Sequence, residues 1–175
     1  MGYINCWNGI ARLELSRQLI FTKGAGKHDR MDVVVEGICT CNVQCPKQGI
    51  IPHDMIHFAV ESTLQRRGFI TRTLEGDTSG FRMTSNVESD GVERLVEAFQ
   101  ADGWAGWVSE PSDLLDLYHV TCEGRHCAAL PIGEPEILAI REHIHRLTAA
   151  RELVKIGESL CVSGNMRQSD NAATR

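Results

Sequence analysis

The stretch Ile10 to Thr22, IARLELSRQLIFT, followed by Lys23-Gly24-Ala25-Gly26-Lys27 and then by Met31-Asp32-Val33-Val34-Val35, decides the fold class. Apolar Ala11, Leu13 and Leu15 alternate with polar neighbours before the run becomes more continuous, which is the period of a β-strand. Two glycines punctuate it, and the β-branched run that follows predicts a returning strand, so the segment reads as a β-hairpin. The Gly-Ala-Gly-Lys turn is not a phosphate loop. It lacks the full G-x4-G-K-[S/T] spacing, and His28 stands where Ser or Thr would bind magnesium.

Beyond the hairpin, the pattern changes to helical periods. Pro52 suits a first helical turn, where its missing N–H costs nothing, and Gly68 suits the position after a last turn, so a helix is expected over 52–67. Residues 70–90 hold Gly76, Asp77, Ser79, Gly80, Ser85, Asn86 and Ser89, which predicts a long loop or a weak hairpin. Leu95, Val96 and Phe99 give a second helix over 91–101. Pro111-Ser112-Asp113 opens a third over 111–120, and Pro135 opens a fourth, the longest, carrying Ile137, Ile140, Ile144 and Leu147. After Gly157, Ser159-Leu160-Cys161-Val162 predicts a last strand, added most simply to the N-terminal hairpin. The expected fold is α+β: a small antiparallel sheet, built from the hairpin and the C-terminal strand, packed with about four helices on one face. Residues 1–163 are expected to form one domain and the polar residues 164–175 a mobile tail.

Composition narrows the function. Hydrophobic residues make up 42% and charged residues 23%, as in ordinary globular chains. The net charge is −5, and among the basic residues Arg66 and Arg67 form the one adjacent pair, so the clustered basic footprint of a nucleic-acid partner is missing. No stretch approaches the length of a membrane span, and the start Met-Gly-Tyr-Ile-Asn-Cys-Trp has no basic segment followed by an apolar run; a cytoplasmic protein is expected. The seven cysteines, Cys6, Cys39, Cys41, Cys45, Cys122, Cys127 and Cys161, are therefore read as reduced thiols rather than a disulfide framework.

One cluster carries candidate chemistry: His53-Asp54-x-x-His57-x-x-x-Glu61. At about 100° per residue, and with His53 at zero, His57 falls near 40°, Glu61 near 80° and Asp54 near 100°, so all four share one arc of the predicted helix. Two imidazoles at i and i+4 can hold one zinc or iron ion. Glu61 lies eight residues from His53, a rise of roughly 12 Å, too far to join both histidines on one ion. It is read as a carboxylate that orients His57, or as an acid/base group at the rim. Asp54 occupies the position that Glu holds in H-E-x-x-H metalloproteases and is the other candidate for proton transfer, one methylene shorter, or else an additional ligand.

The third ligand must come from elsewhere. His119-x2-Cys122-x3-His126-Cys127 has ligand types at ligand density, and His119 is the first choice; His143 and His145, two apart on a helix, point to different faces. The expected function is a small metal-dependent enzyme with a divalent ion, zinc before iron, a small-molecule substrate and hydrolysis as the simplest reaction. The metal would lower the pKa of bound water toward about 7, with Asp54 or Glu61 moving the proton. Two other classes stand beside it. One is a non-catalytic binding or regulatory domain in which His53, Asp54, His57 and Glu61 serve helix capping and pairing. The other is a thiol-based metal or redox sensor built on Cys39, Cys41 and Cys45.

The H-D-x-x-H pattern resembles the zinc motif of a ubiquinone-biosynthesis family over these five residues, but that family places Glu after an eleven-residue spacer, where this chain has Phe69. Pro52-His53-Asp54-Met55-Ile56-His57-Phe58-Ala59-Val60-Glu61, then Gly68-Phe69, is similar to a bacterial family with a P-H-D-[L/M]-[I/V]-H-[F/Y]-x-V-E segment. That resemblance implies an arrangement of strands and helices and no particular activity.

Overall fold

A computed structural model describes residues 17–76 and 87–163. Within them the chain runs β1 (Arg17–Thr22), β2 (His28–Val35), β3 (Ile38–Pro46), α1 (His53–Leu64), α2 (Phe69–Leu74), α3 (Val87–Trp104), α4 (Pro111–Gly124), α5 (Glu134–Glu152) and β4 (Ser159–Val162). The strands form one antiparallel sheet in the order β3-β2-β1-β4. The α+β class and the closing of the sheet by the C-terminal strand follow the sequence reading: Leu19 pairs with Val162 and Thr22 with Ser159. The expected strand residues 10–16 and the expected tail 164–175 lie outside the described residues.

The sheet has one more strand than the periodicity suggested. Glu36 and Gly37 both take positive φ, 50° and 80°, the mirror-image turn that matches the twist of a tight hairpin. β2 therefore turns directly into β3, which carries Cys39, Cys41 and Cys45. A register shift between Val33 and Val34 interrupts the pairing, and most β3 side chains are exposed, so no clean alternation marks this strand in the sequence. The β1–β2 connection is a hairpin turn: Gly24 donates its N–H to Asp29 Oδ1 at 3.0 Å, and a Cβ on Gly24 would stand 2.0 Å from the His28 carbonyl oxygen.

Leu19, Phe21, Met31, Val33 and Cys45 face the helices and join Met55, Ile56, Ala59 and Val60 of α1, Val92, Leu95, Val96 and Phe99 of α3, and Ile137, Ile140 and Ile144 of α5 in one continuous core. α1 is the axis of this core. Its residues Asp54 to Glu61 are all buried, because it contacts α2, α3 and α5 as well as β3. A helix surrounded in this way is covered along most of its length, so Asp54, His57 and Glu61 of the arc are interior groups that need interior partners, while His53 at its start is partly exposed.

Two helix boundaries differ from expectation. α1 ends in a left-handed Gln65, φ 52°, rather than at Gly68. The expected loop over 70–90 contains α2 and the first turn of α3; residues 77–86 of it lie outside the described residues. The start of α2 has an identifiable cause, the Glu61 carboxylate.

Candidate metal centre

Glu61 is fully buried and its two oxygens are taken by five donors. Oε2 accepts from Gly68 N at 3.1 Å, Thr71 N at 2.8 Å and Thr71 Oγ1 at 2.7 Å, and Oε1 accepts from Ile70 N at 2.9 Å and His57 Nδ1 at 3.3 Å. The carboxylate thus satisfies the open N–H groups at the start of α2 and fixes that short helix against α1. Gly68 lets this happen. A Cβ there would lie 2.6 Å from Glu61 Cδ and Oε1 and 2.8 Å from Val92 Cγ1. Its glycine serves close approach, not the end of α1.

The bond from His57 Nδ1 sets the ring, because a carboxylate can only accept. In neutral His57 the lone pair is then on Nε2. That atom lies 3.2 Å from His53 Nε2 and 3.1 Å from Glu93 Oε2, while His53 Nε2 is 3.7 Å from Glu93 Oε1. One ligand atom from each of His53, His57 and Glu93 lies within 4.8 Å of the others, a group close enough to hold a metal ion. The other ring nitrogen of His53, Nδ1, is buried and has no hydrogen-bond partner among the described residues, so Nε2 is the nitrogen through which His53 meets its neighbours.

The electrostatics are mutual. Burial, the largest influence on His57, disfavours its charge, yet the hydrogen bonds and charges of Glu61 and Glu93 outweigh it and raise its pKa to about 9. Hydrogen bonds from His53 and then from His57 hold the Glu93 carboxyl well below the usual carboxylate range against the opposing effect of burial. A proton on His57 Nε2 and a divalent cation would occupy the same space between this nitrogen and Glu93.

The group opens to a cavity of about 170 Å3 lined by His53, Asp54, His57, Phe69 and Glu93. His57 is 3% exposed, while His53 and Glu93 are 27% and 36% exposed, so one member of the group is anchored in the core and two stand at the opening. Asp54 forms part of the wall. Beneath it, burial pushes the Cys45 thiol well above its ordinary range, and the adjacent Asp54 carboxylate adds to this.

The sequence arc is brought together in part. His53 and His57 converge, Asp54 shares their cavity, and Glu61 lies behind His57 rather than at the rim. His119 is exposed on α4 beside Tyr118 and is not in the group; Glu93 of α3 is. The physical reason is packing: α1 meets α3 along its His face, whereas His119 is on an exposed part of α4 that, among the described residues, no element covers. His143 and His145 do point apart, the first to Thr63 Oγ1 at 3.1 Å, the second to the Trp107 ring. Cys39, Cys41 and Cys45 do not converge as a ligand group among the described residues. Glu93 lies on a polar stripe of Asp90, Glu93, Arg94 and Glu97, an ordinary solvated helix face in the sequence; its i+4 relation to other acidic residues held no signal of its own.

Neither the protein-family models, nor the curated proteins, nor the solved structures include a match to this chain. Among the described residues no helix is long and apolar enough to cross a membrane.

Proposed function

We propose that the chain is a small metal-dependent enzyme whose divalent ion is bound by His53, His57 and Glu93, with Asp54 as the group that accepts or returns a proton in the same cavity. The observation that carries this reading is the convergence of three donors of ligand type at an open cavity, one of them backed by a buried carboxylate on its far nitrogen. Glu61 is then a positioning residue, since every oxygen lone pair it can offer is directed to N–H or O–H donors. Three protein ligands leave positions open for a substrate, as catalytic sites require, and a divalent ion there supplies a Lewis acid. Two histidines and a carboxylate suit zinc or iron. Zinc with hydrolysis of a small molecule is the simpler assignment, because it asks for no electron donor.

A specific observation favours a second reading. His57 stands between Glu61 and Glu93 and is compensated in charge without any metal, which suits a non-catalytic domain with a buried ionic cluster. Elemental analysis of protein purified without a histidine tag separates the two. The enzyme reading expects near one equivalent of divalent metal in the wild type, lost in His53→Ala, His57→Ala and Glu93→Gln and retained in His119→Ala. A folded wild type that takes up neither zinc nor ferrous iron on reconstitution overturns it.

A further inference from the structure

A second cavity lies away from His53 and His57. It measures about 320 Å3 and is lined by Asp90 and Arg94 of α3 and by Arg125, His126 and Cys127, which follow α4. We propose that this cavity binds the phosphate group of a small molecule, independently of any metal at His53, His57 and Glu93.

Three observations support it. Two arginines and a histidine line the cavity in a chain whose net charge is −5. These residues border the space from two sides, α3 and the end of α4. One arginine fork satisfies a planar carboxylate, whereas donors from several directions suit a tetrahedral oxyanion. The Asp90 carboxylate in the lining offsets one positive charge and can accept from a hydroxyl of the ligand or of a protonated phosphate.

The second observation is a polar group left over. Among the described residues, Arg94 Nη1 is buried and makes no hydrogen bond, although Glu97 Oε2 lies 2.9 Å away as its ion-pair partner. Buried N–H groups of a guanidinium are rarely left unpaired, and an oxyanion in this cavity adds acceptors where they are lacking.

The third is backbone conformation. Cys127 N bonds to Cys122 O at 3.0 Å and His126 N to Glu123 O at 3.1 Å, the paired bonds of a Schellman helix end. That motif puts one residue in the left-handed region, normally glycine. Here it is His126, φ 54°, while Gly124 stands two positions earlier, within the helix, where no positive φ is needed. A left-handed backbone costs a residue with a side chain some strain, as it also does Gln65 at the end of α1, and here the residue that bears it lines the cavity. The chain after it passes close along α3 because Gly91 has no side chain: a Cβ there would stand 3.0 Å from Ala128 O.

The test is calorimetric titration of the full chain with inorganic phosphate, beside acetate at matched ionic strength. The expected result is saturable phosphate binding, at least tenfold tighter than acetate, weakened at least tenfold in Arg125→Gln and in Arg94→Gln. Arg125 is exposed, so that variant folds even if Arg94→Gln does not. His126→Gly relieves the left-handed backbone, so its thermal midpoint stays level or rises while phosphate binding weakens severalfold. His53→Ala leaves phosphate binding unchanged, which distinguishes this site from an ion at the metal centre. No saturable binding, equal binding of acetate, unchanged binding in Arg125→Gln, or loss of binding in His53→Ala each overturns the proposal.

Discussion

Replacing Glu61 by Gln tests the link between the fold and the site, because one side chain joins α1, α2 and His57. Glutamine keeps the volume but offers one oxygen and one NH2 group to five donors. The least costly placement puts the amide oxygen at Oε2, facing Gly68 N, Thr71 N and Thr71 Oγ1, and the NH2 at Oε1, facing Ile70 N and His57. His57 can change tautomer to accept from the NH2, but the Ile70 N–H cannot adapt and is left buried without an acceptor, at about 1–3 kcal/mol. The three bonds at Oε2 survive with a neutral acceptor, each weaker by roughly half of the 1.5–3 kcal/mol typical of a charged one. Together the substitution costs about 3–7 kcal/mol, a large share of the roughly 5–15 kcal/mol that holds a domain folded. Urea unfolding followed by circular dichroism measures it, with a lower midpoint at unchanged slope. A loss below about 1 kcal/mol would refute the role given to this carboxylate.

Two glycines give a contrast. Gly68→Ala forces a methyl against Glu61 and Val92 and is expected to cost about 1–3 kcal/mol, whereas Gly124→Ala, with nothing within 4 Å, gains several tenths to about 1 kcal/mol from helix propensity; equal effects in thermal unfolding contradict the packing at Gly68. Asp29 provides the pH dependence. Its burial raises its pKa, but bonds from Arg151 and Gly24 N and the charges of Arg151 and Lys47 outweigh this and hold it below its ordinary value. A lowered folded pKa contributes stability that is complete above the unfolded value of about 3.9 and is lost as pH falls through the folded one. The stability difference between wild type and Asp29→Asn is therefore expected to be constant from pH 7 to 5 and to shrink below pH 4, and a difference that does not change with acid refutes the pairing.

The class of fold and two of the three clustered donors were legible in local sequence. Alternation and turn glycines gave the hairpin, and the run after Gly157 gave the closing strand. Prolines and helical periods gave α1, α3, α4 and α5, since a local period directly reflects which face of an element is covered. His53 and His57 were legible for the same reason: i,i+4 spacing on a helix is a local geometry. β3 escaped because exposure and a bulge erase alternation. α2 escaped because its first turn is held by a carboxylate from another helix, which no window of local sequence includes.

Packing between helices is what brings Glu93, and not His119, beside His53 and His57. Both residues are polar positions on helices, and what separates them is that α3 packs along the histidine face of α1 while His119 remains uncovered on α4. It likewise turned Glu61 inward and gave Gly68 its purpose, since the close contact of the two depends on the angle at which α1 meets α2. Spacing along the chain specifies what one element presents; which groups meet across elements depends on packing, and the place of Glu93 beside His53 and His57 is a property of packing.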